Sequence, residues 1–517
     1  MGWRKRALKI VSILKDGERQ SLREISSNST IPKSSVHRHC VSLQKRVSSV
    51  GHSFFETEEG AAWLHRLFFA VIFVFGIQCN IGAETLSLFF GIITLTHYVS
   101  SSTSALRTAK NAVRKVINEY DDEQMKVVME ACKNKELHLG GDETFFDNTT
   151  FLVMMELTSG FILTEAKADD RTFKTWCDKT KAVTSKLKHV LSFTSDKGAA
   201  IWKFAKNITA NPIIDLFHMM QDIHKVFASQ FSAKRRALVK TKKMIECKNS
   251  SSKKESLQST EEASSLLIKL DQDEKQYKNA IFKISTHCHP YQGVANKQNT
   301  SMLEGVLIDT VGELRHLLSE CNLTDKQSLL DRCARRAKPL SELNDLWHKW
   351  VNTSVVCKTT DRDRQQWAVD YLLPWSYWEM QAAKSKRKQH LREHYQEKAI
   401  ESLKRLKAHP LTSTCLNDDW CDWANAMSLK YQRTSSAVEG RNARLSHHYF
   451  SAKGLRDHQV KPLTTIHNFW IKRPDNRTAC ERLCKVKPPD LFEFILKRVG
   501  DIPVPRKSRQ QELAKAA

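Results

Sequence analysis

The sequence has no glycine-rich phosphate loop of the form GxxxxGK[ST], so no nucleotide-driven step is expected of it. It has little that could enter a membrane. The longest apolar run, Leu67–Ile77 (LFFAVIFVFGI), is too short to span a bilayer, and Gln78, Asn80 and Glu84 interrupt its continuation. That run reads as a buried core helix, and the opening MGWRKRALKI lacks the small-residue cleavage site of an export signal. The 13 cysteines form no framework, which points to free thiols in a reducing interior. Cys480 and Cys484 share a helix face but no second ligand pair accompanies them, which argues against zinc. His287, Cys288 and His289 are adjacent and would point to opposite faces of an extended segment, and His447–His448 likewise lack partners. Acidic residues are in short supply, 57 against 82 basic ones, for a net charge of +25. This excess suits a polyanion, nucleic acid first, with a basic but otherwise ordinary protein as the alternative. A hydrophobic content of 41% and a length of 517 residues describe a folded chain of several domains.

The first organised stretch is Ser21–Arg46 (SLREISSNSTIPKSSVHRHCVSLQKR). Leu22 and Ile25 fall on the inner side of one helix, a polar turn follows, and Pro32 opens a second helix. Proline fits there because its missing N–H would be unpaired in the first turn anyway. The pattern predicts a helix-turn-helix, with a plain helical hairpin as the alternative. Lys33, Ser34, Ser35, His37 and Arg38 then lie near the start of the recognition helix, where base edges and phosphates are met. Residues 50–120 read as helical. Ser100–Ser104 supplies caps for a helix from Ala105 to about Tyr120, whose Arg107, Lys110, Arg114 and Lys115 form a solvated face or a second surface toward DNA.

From about Glu136 the period becomes strand-like. Leu137–Leu163 (LHLGGDETFFDNTTFLVMMELTSGFIL) reads as a strand carrying Asp142, then a hairpin turned at Thr158-Ser159-Gly160. A helix over Arg171–Lys188, a strand ending at Asp196, another helix, and a strand and helix over Pro212–Phe231 follow. This order is α/β, helix-rich overall, with one antiparallel pair and crossover connections that can make the first and fourth strands neighbours. Beyond Ala233 the chain turns basic and helical, and Trp347, Trp350, Trp367, Trp375 and Trp378 read as core, with Pro374 breaking or kinking a helix. The expected organisation is a helical DNA-binding domain (1–125), a catalytic core in two parts (126–232 and 426–475), a helical insertion between them (233–425), and a C-terminal helix with a basic tail that frays (476–517).

Asp142 and Asp196 at strand ends and Glu439 at the start of a later helix suit two divalent cations. Mg²⁺ prefers a few carboxylates with substrate phosphate and water, and two ions can bind the attacking and leaving oxygens of a phosphodiester. GGDETFF, FTSDKGA, DLFH and SSAVEGRNARLS, followed by LTTIHNFW and RPDNRTACERL, resemble a bacterial insertion-sequence transposase of the DDE class over nearly the whole chain. The resemblance implies a ribonuclease H-like core with Asp142, Asp196 and Glu439 as the metal-binding triad, holding two Mg²⁺, or Mn²⁺ in their place. It also implies double-stranded DNA as partner, both terminal inverted repeats and target, a homodimer on that DNA, and a place in the bacterial cytoplasm at the nucleoid. An inactive or domesticated DNA-binding copy, and a nuclease that cuts without joining, are the alternatives. Near the triad, Arg441 either clamps a phosphate or fixes its helix to the sheet, and Asn442 either meets a base or does the same. Asp215 and His218 in DLFH sit close by, as a DNA contact, a supporting pair or a hydrogen-bonded core pair.

Overall fold

The computed structural model describes Arg6, Lys9, Ile10, Ile13, residues 21–46, Phe55, and residues 57–247, 253–451 and 454–504. The basic tail expected to fray lies outside the described residues from Pro505 onward. Two helices, α1 (Leu22–Ser29) and α2 (Lys33–Arg46), come first. Ser21 caps α1, and its hydroxyl and the Glu24 carboxylate satisfy each other's backbone N–H groups. Thr30 ends α1 in the left-handed conformation, and Ile10, Ile25, Ile31 and Val36 close a small core of their own. This is the predicted helix-turn-helix.

Next come α3 (Glu58–Val71), which continues as a π-helical stretch over Ile72–Gln78, then α4 (Ala83–Ile92) and α5 (Thr103–Cys132). The continuous helix Glu58–Gln78 is twice the length of the apolar run and, by length and composition alone, would cross a membrane. Here it is a core helix: Phe68, Phe69, Ile72 and Phe73 are buried, and Phe73 packs edge-on against Trp470.

The sheet has the order β3-β2-β1-β4-β5, built from β1 (Glu136–Phe146), β2 (Thr149–Glu156), β3 (Phe161–Ala168), β4 (His189–Ser195) and β5 (Pro212–Ile214). β1, β2 and β3 are antiparallel in sequence, whereas β4 runs parallel to β1 and β5 parallel to β4. The sheet is therefore mixed, with α6 (Phe173–Thr184) and α7 (Ala199–Ile208) as crossovers. Both faces are covered, which is why the β2 sequence TTFLVMME is a nearly unbroken apolar run rather than an alternating one. Leu152 and Met154 join the core shared with α5 and the C-terminal helices, and Phe151, Val153 and Met155 pack on the opposite face.

Past β5 the helix α8 (Leu216–Cys247) runs through Ala233 without a break, so the chain leaves the sheet at Leu216. It returns in α17 (Ser436–Ser451) after α9 (Lys253–His287), α10 (Thr300–Glu320), α11 (Gln327–Lys358), α12 (Arg362–Trp367), α13 (Leu373–Lys384), α14 (Gln389–Ala408), α15 (Thr412–Cys415) and α16 (Asp418–Lys430). This excursion holds two cores. One joins α8–α11 through Phe227, Leu307 and Leu330. The other is aromatic, with Trp347, Trp367 and Trp378 buried, and Trp350 and Trp375 packed against it. A π-helical stretch over Ala368–Leu372 precedes Pro374, so the proline falls in a first helical turn that tolerates it. The chain closes with α18 (Asp457–Phe469), α19 (Ala479–Cys484) and α20 (Leu491–Arg498), and the described cysteines are free thiols.

Two glycines set the fit of β1. A Cβ on Gly141 would stand 2.5 Å from Phe193 Cζ, and one on Gly140 would stand 2.5 Å from Leu157 Cδ2. Gly141→Ala is therefore expected to destabilise the chain by about 1–3 kcal/mol, read as a lowered urea midpoint at unchanged slope.

Candidate active site

Period-2 alternation along β1 decides which acid faces which helix. Gly140 and Asp142 point to the face that carries α17, whereas Gly141 and Glu143 point to the face of α6 and α7. Glu143 accordingly accepts a hydrogen bond from Trp176 Nε1 at 2.9 Å, away from the cluster described next.

Asp142 is buried, and Asn442 Nδ2 donates to its Oδ2 at 2.7 Å. Glu439 lies in the first turn of α17, half-buried, and faces the same point. The third group is His218, on the first turn of α8. Its Nε2 stands 3.6 Å from Glu439 Oε1, 3.8 Å from Asp215 Oδ2 and 3.9 Å from Asp142 Oδ1. That nitrogen is buried and makes no hydrogen bond among the described residues. The ligand atoms of Asp142, His218 and Glu439 all lie within 4.8 Å of one another.

These separations are too long for hydrogen bonds. Neighbouring ligands about 2.1 Å from an octahedral ion stand about 3.0 Å apart, so these groups would draw together to share one. Two carboxylates and one imidazole, whose Nε2 is unpaired, make a donor set of the kind that takes a divalent cation. Electrostatics agrees. Burial, and after it the charge of Glu439, push Asp142 up to about 9, with Asp196 adding to the shift. A bound cation would reverse this and hold the carboxylate charged.

Asp196 follows the end of β4 beside β1, half-buried, and its Oδ1 accepts the backbone N–H of Gly198 at 2.9 Å. Its charge reaches both Asp142 and Glu143, but it is not among the three groups whose ligand atoms converge. Asp215 supports the cluster from below. It is wholly buried, accepts the Phe217 N–H at 2.7 Å and the Ser435 hydroxyl, and its carboxyl is raised by burial against those bonds. Ser435 immediately precedes α17, so Asp215 ties the start of Glu439's helix to the start of His218's.

The two residues beside Glu439 are settled by their partners. Arg441 is buried and meets Glu165 of β3 twice, Nε to Oε1 and Nη2 to Oε2, each at 2.6 Å. Arg441 holds Glu165 well charged although it is wholly buried, and Thr464 of α18 donates to the same carboxylate. Arg441 therefore fixes the helix to the sheet, and the phosphate-clamp alternative is corrected: both ends of its fork are committed inside the protein. Asn442 is likewise buried against Asp142, so it orients a carboxylate rather than meeting a base. In the helix-turn-helix, Lys33, Ser34, His37 and Arg38 are exposed along one face of α2, and Ser35 is half-buried. On α5, Arg107 and Lys115 are exposed, but Lys110 is buried with its Nζ donating to Ile81 O at 2.8 Å.

Residues 5–46 match the IclR helix-turn-helix domain, and residues 368–511 match a family described as of unknown function, DUF6399. The second match joins the aromatic part of the excursion to α17 and the C-terminal helices, and includes Glu439, Arg441 and Asn442. No curated protein matches the chain. The N-terminal segment is thus a helix-turn-helix of the DNA-binding kind, and double-stranded DNA is its ligand.

Two outcomes follow. In metal-free protein, Asp142 keeps its proton up to about pH 9, while an unfolded chain releases it near pH 4. The folded state binds more protons across that window, so stability falls as pH rises through it. Thermal melts in chelator should show this slope, and Asp142→Asn or added Mg²⁺ should flatten it. Arg441→Gln leaves Glu165 buried without its partner and should cost about 3–5 kcal/mol in denaturant titrations.

Proposed function

We propose that this chain is a DNA transposase of the DDE type, in which the helix-turn-helix recognises the ends of an insertion sequence and the ribonuclease H-like core cuts and joins them. The observation that carries the reading is the convergence of Asp142, Glu439 and the unpaired Nε2 of His218 where β1, α8 and α17 meet. A DNA-binding domain in the same chain supports the phosphodiester as the substrate bond.

Asp142 and Glu439 would hold the metal in this reading, Asp196 would complete the acidic wall from the end of β4, and His218 would add a nitrogen ligand. Bound Mg²⁺, or Mn²⁺, would supply a Lewis acid that activates water or a 3′-hydroxyl and stabilises the departing oxygen. The protein's own part is positional. Asn442 sets the Asp142 carboxylate, the Arg441–Glu165 pair sets the height of Glu439, and the Asp215–Ser435 bond sets α8 against α17. Lys33, Ser34, His37 and Arg38 present the DNA, mostly through phosphates with some base readout. Joining two element ends calls for a homodimer on the DNA.

The test is a cleavage assay with full-length protein, Mg²⁺ and labelled duplex carrying the flanking genomic ends. Asp142→Asn and Glu439→Gln should each lower nicking by at least a hundredfold while leaving duplex affinity within about threefold. Joined products identify a transposase, and nicked products alone identify a nuclease. Binding without any metal-dependent cut would overturn the catalytic reading and leave a DNA-binding protein.

A further inference from the structure

Helix α17 carries the acid cluster at its N-terminal end and a second feature at the other. Around Tyr449 and Ser451, a cleft of about 520 Å³ opens between α5, β3 and the start of α18. Its walls are basic: Lys110 from α5, Lys167 from β3 and Arg456 just before α18 all line it. Arg114 lies one turn along α5 from Lys110, with its Nε buried and unpaired. Burial and the nearby Arg456 lower the Arg114 guanidinium, and burial lowers Lys110 to about 8. Burial is the larger cause of both shifts, and Arg114 beside Lys110 adds to the second. Asp457 pairs with Lys167 at 3.5 Å, but among the described residues no ion pair engages Lys110, Arg114 or Arg456. Four cations against the Asp457 carboxylate leave a positive site for an anion with several acceptor oxygens.

The helix between the two features is a ruler. From Glu439 to Ser451 is twelve residues, about 18 Å at 1.5 Å per residue, which matches the rise of about five base pairs along a duplex axis. The exposed face between them carries Gly440, Ala443, Arg444 and His447 at helical spacing. Two small residues let a backbone come close beside the cluster, and a cation and an imidazole follow toward the cleft.

We propose that this cleft is a second DNA contact, which holds a backbone phosphate about five base pairs from the bond placed at the acid cluster. It rests on the reading that the core acts on DNA, and gives that reading a strand direction: from Glu439 along the exposed face of α17 to Lys110, Lys167 and Arg456. The contact is to phosphate, so it is indifferent to base sequence and separate from recognition by α2.

Lys167→Gln and Arg456→Gln stand at the rim of the cleft, where neither change disturbs the core. The experiment measures affinity of the full chain for a labelled duplex between 50 and 300 mM salt, with Ca²⁺ replacing Mg²⁺ so that no cut is needed. The double variant should bind roughly tenfold more weakly near 0.15 M salt, with a salt slope shallower by about one. Duplexes with one neutral methylphosphonate linkage, moved along the strand, should weaken wild type at one position and leave the double variant unaffected there. An unchanged affinity and slope would overturn the proposal. So would calorimetric binding of inorganic phosphate that is lost in the variant while DNA affinity stays the same, since that assigns the cleft to a free anion. The outcome is independent of nicking: a chain that never cuts still reports on this contact, and a chain that cuts can still fail it.

Discussion

Arg441 and Glu165 meet face to face, both almost wholly out of water, in a two-point bond that spans from α17 to β3. Removing two charges from water is costly, and only good geometry with further hydrogen bonds offsets it. Thr464 supplies one such bond from α18, so three elements separated in sequence share one carboxylate. Glu439 sits half a turn before Arg441 on the same helix and inherits its position. The ion pair thus locates a reactive group without touching it. Bidentate pairing resists rotation as well as translation, which a single contact would not.

The acid cluster carries the opposite kind of energetics. Asp142, Asp215 and Glu439 crowd negative charge around one histidine, and burial raises Asp142 and Asp215 further. Nothing among the described side chains neutralises that crowding through a proper hydrogen bond to His218. Asn442 bonds Asp142, and Phe217 and Ser435 bond Asp215, which offsets part of the cost of burying these acids. Acids perturbed in this way mark a candidate functional site.

Much of this was legible in the sequence. Period-2 runs and the turn at Gly160, with its positive φ of 73°, gave the hairpin, and Pro32 between two amphipathic stretches gave the helix-turn-helix. Glu439 is recognisable at the start of its helix, whereas Asp142, expected at a strand end, lies in the middle of β1. His218 is harder to read. In DLFH it reads as an ordinary helical residue, and only the three-residue β5 brings that helix start beside β1. Arg441 was undecided because its partner is 276 residues away on another strand. Lys110 showed on α5 as one of a basic stripe, but a stripe says nothing of which neighbours will cover it. The domain edge near Ala233 followed a change in composition, and composition tracks exposure to water rather than the point where a backbone leaves a sheet.

The helical excursion begins and ends at one place. Leu216 N–H donates to Arg433 O at 3.0 Å, and Asp215 and Ser435, the residues flanking that bond, are joined through their side chains. The excursion of more than two hundred residues closes at this stem, and it also packs on the sheet through Lys430 with Glu136, Trp350 with His138, and Ile213. The stem also stands next to the acid cluster, since His218 is two residues past Leu216 and Glu439 four past Ser435. A change in the stem's width therefore reaches the cluster's own helix starts before any other part of the sheet.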